Sequence, residues 1–335
     1  MRVMLTGASG SVGLMTLSAL LKQDNHQITV FDLDNKANRK KLKPYLKRVK
    51  TVWGDISNYD VVKDAVRNQD AIIHLAAVIP PKADLYPDLA KRVNYLGTIN
   101  LIKAIKQSSN KPILIYASSI SVYGDRVSEP WIKVTDILKP SDKDYYASLK
   151  IDAEEAIRQA DISFIIYRLT AIMDKPKLDP LMFHMPLNTK IEIASSRDTG
   201  HAFALTLDHL DELKNQVFNL GGGPLCRTDY QTFLSRMLMS YGFNPKHLSK
   251  RCFATKNFHC GYYADSDILN NILHFQKDSL ESYLDSVALK TPRLLKLFNH
   301  LFSKMIMNYM HFKSDPNQAL LNNDIDAIKH YFKQE

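Results

Sequence analysis

No C-x-x-C pair occurs in this chain, and its three cysteines, Cys226, Cys252 and Cys260, stand well apart. That excludes a cysteine-built zinc site or a disulfide framework and leaves them as buried, reduced thiols. The histidines form neither H-x-x-x-H nor H-E-x-x-H, so no metal is expected. Long hydrophobic runs are also lacking: none reaches membrane-spanning length, and no apolar leader precedes the first apolar stretch, "RVML". A cytoplasmic address is the expectation. Internal repeats and low-complexity linkers are missing, while 45% apolar and 24% charged residues are ordinary for a globular chain.

Charge is unbalanced, at +9. Much of the excess lies in "KANRKKLKPYLKRVK", Lys36 to Lys50, where Tyr45 is the sole aromatic. The run matches no nucleic-acid motif, so it is expected to be a solvated helix face, with an anionic cofactor or substrate as the alternative contact and no nucleic-acid partner.

What is present is a rhythm. Apolar or β-branched runs, "RVML", "QITVFD", "RVKTVW", "DAIIHLAA", "PILIYAS" and "ISFIIYRL", alternate with helical stretches. This predicts an α/β fold, a doubly wound parallel sheet of Rossmann type with helices on both faces. After Arg168 the rhythm changes: "KPKLDPLMFHMP" reads as loop, "KIEIAS" as strand, "RDTGHAFALTL" as helix and "QVFNLGGGP" as a strand ending in a glycine turn. The chain from Arg227 onward is mainly helical. The expected division is a cofactor domain over 1–169, with return segments at about 190–222, and a smaller substrate-binding portion over 170–189 and 223–335.

"TGASGSVG" sets Gly7, Gly10 and Gly13 between the first strand and a helix. Glycine serves where the backbone turns sharply and where it must approach a pyrophosphate, and the helix N-terminus then faces the phosphates. Ser9, Ser11 and Val12 complete this turn. The second strand ends at Asp32, where a carboxylate can accept from ribose hydroxyls. NAD is therefore the expected cofactor; NADP stands second, kept in view by Lys36 and Arg39.

"DYYASLK" places Tyr146 four residues before Lys150, one helical turn apart on one face. This pair and the G-x-x-G-x-x-G turn are joined, in order, by "GDI" at Gly54 to Ile56, "HLAA" at His74 to Ala77, "NYLGT" at Asn94 to Thr98, "ASSISVYG" at Ala117 to Gly124, "YYASLKIDAEE", and "NLGGG" further on. The series resembles the extended short-chain dehydrogenase/reductase family, the NAD-dependent epimerase/dehydratase group, firmly over residues 1 to about 170 and thinly beyond.

The resemblance implies an enzyme and assigns roles. Asp55 and Ile56 would hold the adenine, Leu75, Ala76 and Ala77 would line the path to the nicotinamide, and Asn94 would sit near the active site or serve as a packing hydrogen bond. Ser119 matches the catalytic hydroxyl; Ser118 reads as structural and Ser121 as a weaker candidate. Tyr146 becomes the acid/base, Lys150 its tuner and a ribose contact, and Ser119 the group that polarises the substrate oxygen. Tyr145, off the lysine face, reads as packing or substrate wall.

Where sugar-nucleotide dehydratases of this group carry an Asp-Glu pair after the serine, this chain has Ile120 and Ser121. Dehydration is disfavoured. The expectation is a reductase or dehydrogenase acting at a secondary alcohol or ketone, ranked above a nucleotide-sugar epimerase; a non-catalytic cofactor-binding regulator is the alternative of another class. Thr170 to Ser196 is short for a nucleotide-sugar segment, although Lys175, Lys177, Lys190 and Arg197 could hold an anionic or sugar-derived small molecule. His74 reads as a satisfied buried histidine, His184 and His201 as candidates to face substrate, and Asp198 as structural.

Thr291 and Pro292 read as N-cap and first residue of a helix running through "RLLKLFNHLFSKMIMNYMHFK". Leu294, Leu295, Phe298, Leu301, Phe302, Met305, Ile306 and Tyr309 fall on one side, and Arg293, Lys296, His300, Ser303 and Lys304 on the other. Three readings follow, in order: a cap on the smaller domain, a homodimer contact, and a peripheral contact with an anionic membrane.

Overall fold

Strands that are apolar throughout must be covered on both faces. The computed structural model, which describes residues 1–173 and 179–333, meets that demand with a sheet of seven parallel strands. They are β1 (Arg2–Thr6), β2 (Gln27–Asp32), β3 (Lys50–Trp53), β4 (Ala71–His74), β5 (Ile113–Ser119), β6 (Phe164–Leu169) and β7 (Gln216–Leu220). Their spatial order is β7-β6-β5-β4-β1-β2-β3. The chain winds outward one way through β3 and the other way from β4, so the order reverses between β1 and β4. A crevice opens at the carboxyl ends there.

Alternation along each strand builds two cores. Val3, Leu5, Ile73, Ile115 and Tyr167 meet α1 (Ser11–Gln23), through Leu17 and Leu20, and α5 (Ser196–Leu205), through Phe203. Met4, Ile72, Leu114, Tyr116 and Ile166 face the other way. They meet α2 (Tyr59–Val66) through Val62, α3 (Gly97–Gln107) through Leu101, and α4 (Tyr145–Arg158) through Ala153 and Ile157. Each strand thus sends odd and even residues to opposite layers. The fold is the Rossmann-type arrangement the sequence pattern predicts.

A third core lies in the C-terminal part, around Phe183, Ile191, Tyr230, Phe233, Met237, Phe253 and Leu284. It is largely helical, with α6 (Tyr230–Ser240) and α7 (Leu280–Lys290), followed by α8 (Arg293–Leu301) and α9 (Ser303–Phe312). All three cysteines are free and buried. Pro292, not Thr291, is the N-cap of α8. Thr291 turns its hydroxyl back to the Val287 carbonyl, at 2.8 Å, because it ends the preceding helix. The single helix expected over this stretch is also divided, at Phe302.

Glu192, on the strand Lys190–Ser195, is fully buried and joins these parts. Its carboxylate accepts from Gly223 N (3.0 Å), Tyr263 N (3.1 Å), the Ser266 hydroxyl (3.2 Å) and Arg227 Nε (2.8 Å). The glycine turn after β7 wraps this carboxylate so closely that a Cβ on Gly221 would lie 2.0 Å from Glu192 Oε1. Gly221→Ala is expected to cost about 1–3 kcal/mol, as overpacking does, read as a lower urea midpoint with unchanged slope. An unshifted midpoint would refute this account of the turn.

Candidate active site

At the end of β1 the chain turns through Gly7, whose φ of 68° suits glycine and whose Cβ would sit 2.6 Å from Ala76 N. A Cβ on Gly13 would fall 2.2 Å from Gly7 O. The turn is therefore packed backbone on backbone, with Ala76 N donating to the Thr6 hydroxyl at 3.2 Å. Helices α2, α4, α5 and α6 all begin with a side-chain cap, from Asn58, Asp144, Ser195 and Asp229. Helix α1 begins at Gly10 with none. Its N-terminus, among Ser9, Ser11 and Val12, faces the switch point as a phosphate-binding turn requires.

Asp32 closes β2 beside this turn. Its carboxylate accepts from Ser9 N (2.8 Å), Leu33 N (2.8 Å) and the Asn38 amide (2.9 Å), which fixes a negative charge where an adenine ribose would lie. Arg39, which could have answered a 2′-phosphate, is paired with Asp34 at 2.5 Å and lies over the Trp53 ring at 4.7 Å. Asp55 Oδ1 accepts from Ser57 N at 2.9 Å, and Ile56 is buried against Gly97. Leu75 and Ala77 continue past β4. Asn94 spends its side chain on Val78, accepting from its N at 2.7 Å and donating to its O at 2.8 Å. It holds the segment beyond Ala77 in place and reaches a ligand only through that segment. These residues and the uncapped helix fit a dinucleotide.

Three side chains converge at the carboxyl end of β5. Ser119 ends that strand; Tyr146 and Lys150 lie one turn apart on α4, and Ser119 is near enough to Tyr146 to act on the ionisation of its phenol. Ser119 Oγ also receives Ser121 N (3.2 Å) and the Ser121 hydroxyl (3.0 Å). With both lone pairs engaged, its hydroxyl proton is left for another acceptor. Burial pushes the Tyr146 phenol above its ordinary value, and Ser119 works against that. The phenol holds its proton while the site lacks an added positive charge.

Lys150 is buried. Its ammonium donates to Ala117 O at 2.6 Å and lies 4.6 Å from the Tyr116 ring and 5.8 Å from that of Tyr146. Loss of hydration lowers its pKa to about 7, and the nearby Glu154 carboxylate opposes that shift. Tyr145 is exposed and off this face.

Beneath the three groups lies a feature that spacing alone did not single out. Glu154, one turn beyond Lys150, is buried with Arg168 of β6. Arg168 Nη2 donates to Glu154 Oε2 at 2.7 Å and Nη1 to the Tyr123 hydroxyl at 2.8 Å. Ser118 donates to Glu154 Oε1 at 2.5 Å, the structural role expected of it. Tyr123 donates to Asn219 Oδ1 at 2.6 Å, and Asn219 in turn to Asp265 at 2.8 Å. The available signal was the four-residue step from Lys150 to Glu154, the same step that links Tyr146 to Lys150.

The remaining candidates separate. His74 is buried between Thr6 (2.7 Å) and Thr98 (3.2 Å), and desolvation holds its pKa at about 3, so it is neutral. His184 Nε2 meets Asp315 at 2.8 Å. His201 lies on α5, in the layer opposite Tyr146. Asp198 accepts from Lys277 N (2.8 Å) and Asp278 N (2.7 Å), a structural use. Arg197 is paired with Asp278, while Lys175 and Lys177 lie outside the described residues. No metal-binding cluster occurs among the described residues.

The family model described as "3-beta hydroxysteroid dehydrogenase/isomerase family" matches residues 4–166. A dTDP-glucose 4,6-dehydratase of Mycolicibacterium smegmatis is 29% identical over 163 residues, 47% of this chain and 48% of that protein. The human sterol-4-alpha-carboxylate 3-dehydrogenase, decarboxylating, is 24% identical over 271 residues, 73% of this chain and 68% of that protein. A crystal structure of a dTDP-glucose 4,6-dehydratase from Streptomyces venezuelae, with NAD and TYD bound, superposes with a TM-score of 0.71 at 20% identity, covering 86% of this chain and 96% of that one. Over residues 4–166 the chain is similar to the extended short-chain dehydrogenase/reductase family. It spans about half the length, or less, of most of the curated relatives it matches.

Buried Lys150 gives a pH test. In the unfolded chain this lysine titrates near 10.5, so between about 7 and 10.5 the unfolded chain holds a proton that the folded chain has released. Stability contributed by this group therefore rises with pH across that window. Lys150→Met is expected to flatten the gain in melting temperature between neutral and alkaline pH relative to the parent. Parallel pH profiles would contradict it.

Proposed function

We propose that this chain is an NAD-dependent oxidoreductase that transfers hydride reversibly at a secondary alcohol or ketone of a small molecule. The observation that carries this reading is the contact of Ser119 with Tyr146 above buried Lys150, beside the dinucleotide-shaped turn. The nicotinamide, when bound, supplies or accepts the hydride. Gly7, Ser9, Gly10, Ser11, Val12 and Gly13 hold the pyrophosphate, and Asp32 the adenine ribose, where its fixed charge disfavours a 2′-phosphate. Asp55 and Ile56 border the adenine. Leu75, Ala76 and Ala77 lead toward the reacting centre, with Asn94 holding that path.

Tyr146 keeps its proton through burial and delivers it to the carbonyl oxygen during reduction. In the reverse direction it takes the proton from the alcohol. Ser119 lies beside the phenol with its proton free to donate. It is placed to donate to the substrate oxygen, where negative charge grows. Lys150 stabilises phenolate by its charge, and Ser121 holds Ser119 in orientation.

Ile120 and Ser121 offer no carboxylate to withdraw a second proton, which argues against elimination of water of the kind named for the dehydratase relatives. Epimerisation through a transient ketone needs the same three groups. UDP-glucose 4-epimerases of Rickettsia among the relatives, one 31% identical over 134 residues, keep it as the second reading.

The test is a screen of hydroxy and keto compounds and sugar nucleotides, following NADH absorbance and product configuration. Net NADH change is expected; inversion without it would favour the epimerase. With an active substrate, Tyr146→Phe should lower turnover at least about a hundredfold, the scale of general acid–base catalysis, and leave NAD affinity unchanged by calorimetry. Tyr145→Phe should stay near the parent. Equal turnover of Tyr146→Phe and the parent would end the assignment.

A further inference from the structure

Helix α8 is inside out. Its sole fully buried side chain is polar: Asn299, whose amide donates to Tyr241 O at 2.7 Å. At the next turn Ser303 is buried too, accepting from Asn244 N at 2.9 Å. The backbone of Lys296 lies tight on Gly242, where a Cβ would come within 2.4 Å of Lys296 O. The protein thus takes the polar side of the helix.

Outward stand Leu294, Leu297, Phe298 and Leu301 at helical spacing, with Leu294 82% and Leu301 69% exposed. The stripe runs on through Phe302, whose ring is 4.7 Å from that of Phe298, to Met305, Tyr309 and Phe312 on α9, with Met305 62% exposed. A soluble surface rarely leaves so continuous an apolar band in water.

The charges beside the band have one sign. Between Asp285 and Asp315 there is no acidic residue, while Lys290, Arg293, Lys296, Lys304 and Lys313 are cationic. At about 100° per residue, Arg293 and His300 line one edge of the apolar arc of α8, and Lys304 stands at the start of α9. At the far end, the Lys313 ammonium lies 5.7 Å from the Tyr309 ring and 5.8 Å from the Phe312 ring, with aromatic bodies beneath and charge above. Aromatic residues flanked by cations are suited to a lipid interface.

We propose that the outer face of α8 and α9 docks in the interface of an anionic lipid bilayer. A second copy of the chain fits this face less well, because it would bring a second set of cations and nothing acidic along the band would offset them. The apolar stripe enters the acyl boundary, and Arg293, Lys304 and Lys313 meet the headgroup phosphates. No helix among the described residues is long and apolar enough to cross a membrane, so the contact is peripheral.

The test is flotation of the full chain with vesicles of phosphatidylcholine alone, or mixed equally with phosphatidylglycerol. Binding to the mixed vesicles is expected to exceed that to phosphatidylcholine by at least about tenfold and to weaken with salt. Leu294→Glu/Leu301→Glu should abolish flotation, and Arg293→Glu/Lys304→Glu should remove the anionic preference. Ile137→Glu, at a site 86% exposed elsewhere, should behave as the parent. Unchanged melting temperatures separate these effects from unfolding. A parent that fails to float with anionic vesicles overturns the proposal. So does equal binding by Leu294→Glu/Leu301→Glu, or a dimer seen by light scattering without vesicle binding.

Discussion

The ion pair of Glu154 with Arg168 underlies the geometry of this molecule. Two charges removed from water must satisfy each other and their remaining hydrogen-bonding capacity, or the site does not form. Here the demand is met by Ser118 on β5, Tyr123 just after it, and the Val134 carbonyl, 2.9 Å from Arg168 Nη1. Helix α4, strand β5 and strand β6 are thereby locked in one register. Ser119 is the residue after Ser118, and Lys150 is one turn before Glu154. Their positions are consequences of the buried pair as much as of the sheet.

The same burial governs protonation. Tyr146 and Lys150 are each pushed toward the neutral form by loss of water. A neutral phenol beside a lysine close to neutrality is a resting arrangement, sensitive to any charge that arrives. The fold places the uncapped start of α1 and the Asp32 carboxylate across the switch point from this pair. The parts that attract a dinucleotide and the parts that respond to it therefore border one crevice.

Much of this was readable in the sequence, for physical reasons. Strands covered on both faces must be apolar throughout, so "QITVFD" and "ISFIIYRL" announce themselves. Tyr146 and Lys150 share a face because a helix repeats after nearly four residues. Partnerships between distant segments leave no such periodic trace. Nothing near Asn94 says that its amide closes on Val78, and nothing near Glu192 says that a glycine turn will enclose it. Helix α8 shows a different limit. Its two sides are plain in the sequence, but amphipathicity does not say which side the protein takes, and Asn299 decides for the polar one.

Glu192 has a mechanical consequence. Its donors come from three separate segments, the glycine turn with neighbouring Arg227, Tyr263, and the start of the helix Ser266–Leu273. Parting the strand Lys190–Ser195 from any of them would strand a desolvated anion, so this seam resists opening. The glycine turn that leaves β7 is thereby moored to the C-terminal part through a single carboxylate.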